Sequence, residues 1–234
     1  MHRKKLLYLA NGRKETTIAK LDERFDCWGL HVDSYWAYGE NFPDSLDSYD
    51  GIFLSGSPHA AYEDIPFINR EHELIQEAAK LSIPMLGICF GSQILASALC
   101  GRDQVFRRDF CEIGYKSLPV SANAKQDRIA HSLGESVYMF VWHNDEVRGD
   151  HPDMTILASS DLCPNQIWRY QDQPIWGIQG HPEITLEQSH RWFEENRAVM
   201  ERDGGVIEEL KASADEAAEA KTMLTNFAGL VARN

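Results

Sequence analysis

Apolar positions along this chain fall into short unbroken runs separated by longer stretches in which they recur every three or four residues. Leu6 to Ala10, Gly51 to Leu54 and Pro84 to Ile88 are runs of the first kind. A run of that length with no polar alternation predicts a strand buried on both faces. Between the last two, Phe67, Ile68, Leu74, Ile75, Ala78 and Leu81 recur at helical spacing after Pro66, which predicts a helix over 66–81 with proline in its first turn. Strand, helix, strand in that order predicts a parallel sheet covered by helices. Further on, the stretches 104–120, 137–142, 155–159, 166–170 and 175–179 predict hairpins and additional strands. Glu187 to Arg202 is read as one helix and Val206 to Val231 as another. No repeat and no Pro/Gly/Ser-rich linker divides the chain. The expected organisation is an α/β domain over residues 1–203, with a mostly parallel central sheet flanked by helices and an added antiparallel segment. C-terminal helices over 204–234 pack on the same domain.

Composition narrows the partners. The net charge of −13 disfavours electrostatic capture of nucleic acid or of anionic lipid, so neither a nucleic-acid nor a membrane partner is expected. Met1-His2-Arg3-Lys4-Lys5 followed by Leu6 to Ala10 has the outline of a signal peptide, but the apolar run ends at Asn11-Gly12-Arg13-Lys14, too short for a secretory segment or a membrane span. A basic start running into five apolar residues reads better as a first strand passing from edge to core, and the expected location is the cytoplasm. The five cysteines, at 27, 89, 100, 111 and 163, form no CxxC pair. They have no histidine at zinc-finger spacing, so neither a disulfide framework nor a metal site is expected.

Chemistry concentrates in Ile83 to Ala96. A buried strand runs into Gly87-Ile88-Cys89-Phe90-Gly91 and then directly into an apolar-periodic helix, the pattern of a nucleophile elbow with Cys in place of Ser. The glycines answer a steric demand: at so sharp a turn, side chains at Gly87 and Gly91 would strike neighbouring backbone. A helix starting just after Cys89 points free N–H groups at the sulfur, favouring the thiolate and offering the Phe90 N–H to an oxyanion. Free cysteine is often only a small buried residue, but Gly87, Cys89, Gly91 and Gln93 together argue against so plain a role.

A thiolate that forms an acyl intermediate needs a base and a group to orient that base. Gly177-Ile178-Gln179-Gly180-His181-Pro182-Glu183 supplies both beyond a predicted strand end. His181 would move the proton, while Glu183, one stiff proline away, would select its tautomer and stabilise the imidazolium. The expected catalytic set is Cys89, His181 and Glu183.

Together these two segments resemble the class I glutamine amidotransferases, in which such an elbow is joined much later by His-Pro-Glu. The resemblance implies a flavodoxin-like sheet and hydrolysis of a γ-glutamyl amide with no cofactor and no metal. It also assigns further residues. Asp50 to Pro58 resembles the family's oxyanion loop, which places backbone donors near Gly56 and Ser57, with Ser57 standing where glycine is usual. Val141-Trp142-His143-Asn144-Asp145-Glu146-Val147 resembles the segment beside the glutamine pocket, implying substrate contacts from His143, Asn144 and Asp145, the last to the α-ammonium. Glu112-Ile113-Gly114-Tyr115 resembles the adjoining segment, and Gln93 the elbow glutamine that shapes the pocket.

The resemblance leaves the ammonia acceptor open. The sequence carries no phosphate-binding loop, so a separate synthase subunit would use the ammonia, or the protein is a stand-alone hydrolase of glutamine or a γ-glutamyl small molecule. Ser55 to Asp64, Gly180 where phenylalanine is usual, and Asn226-Phe227 look closer to the γ-glutamyl peptidase-like branch. A missing ring at Gly180 would admit a bulkier γ-glutamyl compound. Two other classes stand as alternatives. One is a DJ-1/PfpI-like cysteine protein, in which His-Pro-Glu is not expected; the other is a non-catalytic binding module on the same fold.

Overall fold

A computed structural model describes residues 3–13 and 21–234; Met1, His2 and Lys14 of the basic opening lie outside the described residues. In chain order the elements are β1 (Lys5–Leu9), α1 (Leu21–Cys27), β2 (His31–Tyr35), β3 (Gly51–Leu54), α2 (Pro66–Lys80), β4 (Met85–Ile88), α3 (Phe90–Cys100), β5 (Val105–Pro119), β6 (Ser136–Val147), β7 (Met154–Ala158), β8 (Ile167–Tyr170), β9 (Ile175–Ile178), α4 (Leu186–Glu195), α5 (Arg197–Arg202), α6 (Ile207–Ala212) and α7 (Ala218–Arg233).

Seven strands form the central sheet in the order β2-β1-β3-β4-β9-β8-β7. The first five run parallel, and β8 and β7 close one side antiparallel. The mostly parallel sheet with an antiparallel addition is thus as the sequence led us to expect. β1, β3, β4 and β9 are almost wholly buried, because helices cover both faces and leave no solvent-facing alternation. One core collects Leu6, Tyr8, Phe53, Leu86 and Ile88 with Phe227 and Val231 of α7. The other collects Leu7, Leu9, Ile52, Leu54 and Met85 with α2 and α3.

Several expectations are corrected. β1 lies inside the sheet, between β2 and β3, and not at its edge. The edge belongs to β2, whose polar, half-exposed pattern gives no run of apolar residues to read. The helix expected over 187–202 is two, α4 and α5, meeting at Asn196. That expected over 206–231 is also two, separated by residues 213–217 and by the left-handed backbone of Ala217. β5 and β6 form a separate antiparallel ribbon, joined to the central sheet by an isolated bridge between Val120, just past β5, and Ala158 of β7.

The consequence for the site is positional. Leu54 of β3 pairs with Gly87 of β4, and Gly87 with Gly177 of β9, so the carboxyl ends of three adjacent parallel strands meet at one place. In open α/β sheets, ligands bind at such strand ends.

Candidate functional site

Cys89 occupies the turn between β4 and α3 with φ 54° and ψ −111°, a conformation costly for any residue with a β-carbon. Close packing at the bend holds it there. A β-carbon on Gly87 would lie 2.2 Å from the carbonyl oxygen of Gly91, and one on Gly91 would lie 2.2 Å from that of Leu54. Both glycines are therefore steric requirements of the bend. The Cys89 N–H donates to the Ile178 carbonyl at 2.8 Å, which ties the turn to the end of β9. Three residues beyond Ile178 the chain reaches His181, so this strand pairing closes the long sequence gap between sulfur and imidazole.

His181 Nδ1 is 2.7 Å from Glu183 Oε1, and the Cys89 side chain lies close enough to act on the charge of the imidazole. With Nδ1 taken by the carboxylate, Nε2 is the nitrogen left for the sulfur. Burial alone would pull the imidazole pKa down, but the Glu183 carboxylate and the Cys89 sulfur outweigh it, and it is pushed up to about 10. The ring packs edge-on against Trp192 at 5.3 Å between centroids and against Phe140 at 6.2 Å. The His181 N–H donates to the Phe140 carbonyl at 2.8 Å. From α1, the Arg24 guanidinium donates to the Glu183 carbonyl oxygen and, at 3.3 Å, to Gln188 Oε1, pinning the His-Pro-Glu turn.

The loop after β3 forms the opposite wall. A β-carbon on Gly56 would lie 3.7 Å from Cys89 Cβ and 3.8 Å from His181 Cε1, so Gly56 faces both. Neither Gly56 nor Ser57 has a positive φ, and serine at 57 therefore carries no backbone penalty. The Phe90 N–H, as the first of its helix, has no intrahelical acceptor. Behind this loop, the Asn11 N–H donates to Ser55 Oγ at 2.9 Å and its side-chain amide to the Ser55 carbonyl at 3.3 Å. Glu71 of α2 is fully buried nearby, its oxygens without a hydrogen-bond partner among the described residues. Burial pushes its carboxyl up to about 8, only partly offset by a contact with Asn11.

The ribbon supplies the third wall. Trp142 brings its carbonyl within 3.9 Å of Cys89 Sγ. Gln93 Nε2 donates to the Asp145 carbonyl at 2.9 Å and to Gln179 Oε1 at 3.1 Å, fixing the ribbon against the first turn of α3. Asp145 is 7% exposed, and its Oδ1 is 3.5 Å from the Tyr62 hydroxyl and 3.6 Å from the Arg107 guanidinium. Burial raises its carboxyl above the ordinary carboxylate range against the opposing pull of Arg107. Asn144 is half-buried between His143 and Asp145.

His143, expected against a substrate, is turned into the protein instead. Its Nδ1 is 2.9 Å from the Asp145 carbonyl oxygen and its Nε2 3.0 Å from Glu112 Oε2. Both nitrogens are spent within the ribbon, so its part in the site is to hold Asp145. Glu112 is buried as well, and Arg108 bridges it to Glu146, each contact 3.2 Å. Gln166 and Ser160 complete the network around the Glu112 carboxylate. Sequence reasoning missed this cluster because β5 bulges: Arg107 pairs with Asp145 but Glu112 with His143, so residues 108–111 face Asn144 alone.

Among the described residues, Glu112, His143 and Cys163 form a group that could hold a metal ion, their ligand atoms within 4.8 Å of one another. The Arg108 guanidinium already supplies the positive charge there, and burial pushes the Cys163 thiol up to about 12, away from the thiolate a metal needs. The group reads as a charge-compensated buried network.

Gly180 does not open the site. A β-carbon there would meet Met139 Sδ at 2.5 Å and the Phe140 carbonyl oxygen at 3.0 Å. The space of the missing side chain is filled by the fully buried Met139, so the wider entrance expected from this glycine is absent. Among the described residues no helix is long and apolar enough to cross a membrane.

Comparison with known proteins follows the same lines. Residues 16–199 match the family model of glutamine amidotransferase class-I. The chain is 30% identical over 147 residues to a glutamine-hydrolyzing GMP synthase subunit of Methanothermobacter thermautotrophicus, covering 62% of this chain and 72% of that one. It is 32% identical over 166 residues to gamma-glutamyl peptidase 3 of Arabidopsis thaliana, covering 68% of this chain and 65% of the peptidase. A crystal structure of a glutamine amidotransferase from Thermotoga maritima superposes over the whole of both chains with a TM-score of 0.86 at 24% identity, a likeness of fold.

Proposed function

Because this chain belongs to the class I glutamine amidotransferase family, we propose that it cleaves the γ-glutamyl amide bond of glutamine or of a γ-glutamyl compound through a Cys89 thioester. The observation that carries this reading is His181, paired with Glu183 at 2.7 Å and brought with a strained elbow cysteine against the same residue, Gly56.

An imidazolium beside the sulfur sustains a thiolate, which attacks the γ-carbonyl carbon. The carbonyl electron pair moves onto oxygen, where the N–H groups of Phe90 and Ser57 stabilise it. As the C–N bond breaks, the imidazolium gives its proton to the leaving amine and ammonia or an amine departs. The now neutral His181 takes a proton from water. The resulting hydroxide adds to the thioester, the C–S bond breaks, and glutamate leaves with the thiolate–imidazolium pair restored. Glu183 holds Nδ1 protonated and orients the ring. Gly56 leaves room for the acyl group, and Asp145, held by Gln93 and His143, receives the substrate's α-ammonium. No step draws on a cofactor.

The relatives named as part of a synthase support a separate synthase partner that uses the ammonia; the plant relative named as a peptidase supports stand-alone hydrolysis. Mass-spectrometric screening of glutamine and γ-glutamyl compounds for glutamate release distinguishes them. Cys89→Ala is expected to abolish release with the fold intact, and full activity in that variant defeats the mechanism. A glutamine-analogue electrophile should label the wild type at Cys89; no labelling at any concentration supports a binding module instead.

A further inference from the structure

We propose that Glu71, as a neutral acid whose O–H donates to Asn11 Oδ1, is a positioning residue that sets the 55–57 loop against Cys89 and His181. The proposal rests on the reading of the site as that of a hydrolase and concerns the layer behind the loop, away from the reacting atoms.

Glu71 interrupts the apolar face of its own helix. The inward side of α2 carries Phe67, Ile68, Leu74, Ile75 and Ala78, and Glu71 stands among them with no exposure. Leu7 and Leu9 share a core with these residues, and strand alternation brings Asn11, two positions on, to the same side. Asn11 is fully buried as well. It directs both of its donors at one residue, the N–H to Ser55 Oγ at 2.9 Å and Nδ2 to the Ser55 carbonyl at 3.3 Å. Ser55 Oγ in turn donates to the Gly56 carbonyl at 3.3 Å, and Gly56 faces Cys89 and His181. Whatever orients Asn11 therefore orients the loop.

Three buried oxygens here lack a donor among the described residues: both of Glu71 and Oδ1 of Asn11. With its amide nitrogen turned to Ser55, Asn11 presents Oδ1 as an acceptor, and two acceptors form no bond until one carries a hydrogen. A proton on Glu71 supplies that hydrogen and removes the cost of a buried charge without a counter-ion. Asn11 is the described side chain that acts on the Glu71 carboxyl, which burial pushes up to about 8. Charged groups stand elsewhere. Among the described residues, α3 and residues 37–39, which pack on α2, carry only Cys100 and Tyr38 as titratable groups. On α2 itself Arg70, Glu73, Glu77 and Lys80 are exposed, and burial holds His72 down at about 4, uncharged at neutral pH. An ionised Glu71 would claim the Asn11 amide, turn Oδ1 toward the Ser55 carbonyl and repel the loop.

Two substitutions of nearly equal shape test this in the full chain. Glu71→Gln keeps a donor for Asn11, whereas Glu71→Met keeps the bulk without one. At pH 7, Glu71→Met should lower kcat for glutamate release from glutamine about tenfold or more with KM nearly unchanged, although an apolar side chain suits that core. Glu71→Gln should match wild type. As pH rises past about 8, wild type should show a first loss of kcat that Glu71→Gln lacks, ahead of the loss set by His181 at about 10. Crystal structures of the two variants probe the same point without turnover: the Asn11–Ser55 bonds and the loop should stay in place in Glu71→Gln and be displaced in Glu71→Met. The proposal is overturned if the loop is undisturbed in Glu71→Met, if the two variants keep or lose activity alike, or if wild type and Glu71→Gln share one alkaline profile. A wild type that hydrolyses neither glutamine nor a γ-glutamyl compound refutes the hydrolytic reading alone, and the two variant structures then decide this one.

Discussion

Glu183 and His181 hydrogen-bond across a single intervening proline, Oε1 to Nδ1 at 2.7 Å, and this contact governs the charge carried by the ring. The Glu183 carboxylate is the largest of the influences holding the imidazole up at about 10 against the opposing effect of burial. Glu183→Gln keeps the shape but removes that influence, so the imidazolium should release its proton at lower pH. The expected result is a fall in kcat on the order of 10²-fold or more, with the alkaline limb of the kcat–pH profile displaced to lower pH. An unchanged profile would refute the role given to the carboxylate.

Glycine substitutions should separate architecture from access. Gly91→Ala drives a methyl group to 2.2 Å from the Leu54 carbonyl oxygen, where only backbone movement gives relief, so denaturant melts should show a loss of about 1–3 kcal/mol or more. Gly56→Ala meets Cys89 and His181 at ordinary contact distances of 3.7 and 3.8 Å. That variant should melt like the wild type while glutamate release drops, because the methyl group would occupy the place proposed for the acyl group.

Replacing Cys89 should change stability according to what replaces it. Cys89 sits at φ 54° and ψ −111°, which glycine tolerates and alanine does not. Cys89→Gly should therefore be more stable than Cys89→Ala by about 1 kcal/mol, while neither should release glutamate under the proposed thioester route. Equal unfolding midpoints would show that the elbow stores no backbone strain.

Glu71 predicts a pH effect behind the loop that follows β3. Its folded carboxyl is pushed up to about 8 by burial, against 4.5 for an ordinary glutamate. Between those values the folded protein holds a proton that the unfolded chain has released, so stability falls as pH rises from about 4.5 to 8 and levels off above. Glu71→Gln lacks this decline. Relative to wild type, its stability should rise through that window by a few kcal/mol at most, read as unfolding free energies at pH 5 and pH 8.5. Parallel curves for the two proteins would rule the effect out.

How much of this was legible in the residues depends on whether a feature is local. The strands ending at Leu54, Ile88 and Ile178 announce themselves as apolar runs, and the elbow as glycines at fixed spacing. His181 and Glu183 stand out because two residue types and a proline share one short turn. β2 escapes notice because His31, Asp33 and Ser34 interrupt its pattern, and the helix breaks near Asn196 and Ala217 because the apolar period continues across them. The ribbon is harder still. Which face His143, Glu112 or Arg107 presents depends on four residues looping out opposite one, a choice made by tertiary packing around Arg108. Gly180 misleads for a related reason: a missing side chain reads as a vacancy in sequence, while Met139, distant along the chain, closes it.

The separate pairing of the β5–β6 ribbon divides the labour of the molecule. Sulfur, imidazole and carboxylate sit on turns anchored by the seven-stranded sheet, whereas Asp145 rides at the end of the ribbon opposite to the one where the Ser159 N–H donates to the Pro119 carbonyl and Val120 bridges Ala158 of β7. Variation in the ribbon's looped-out segment, residues 108–111, can therefore change what stands beside Asp145 while Cys89, His181 and Glu183 stay in register.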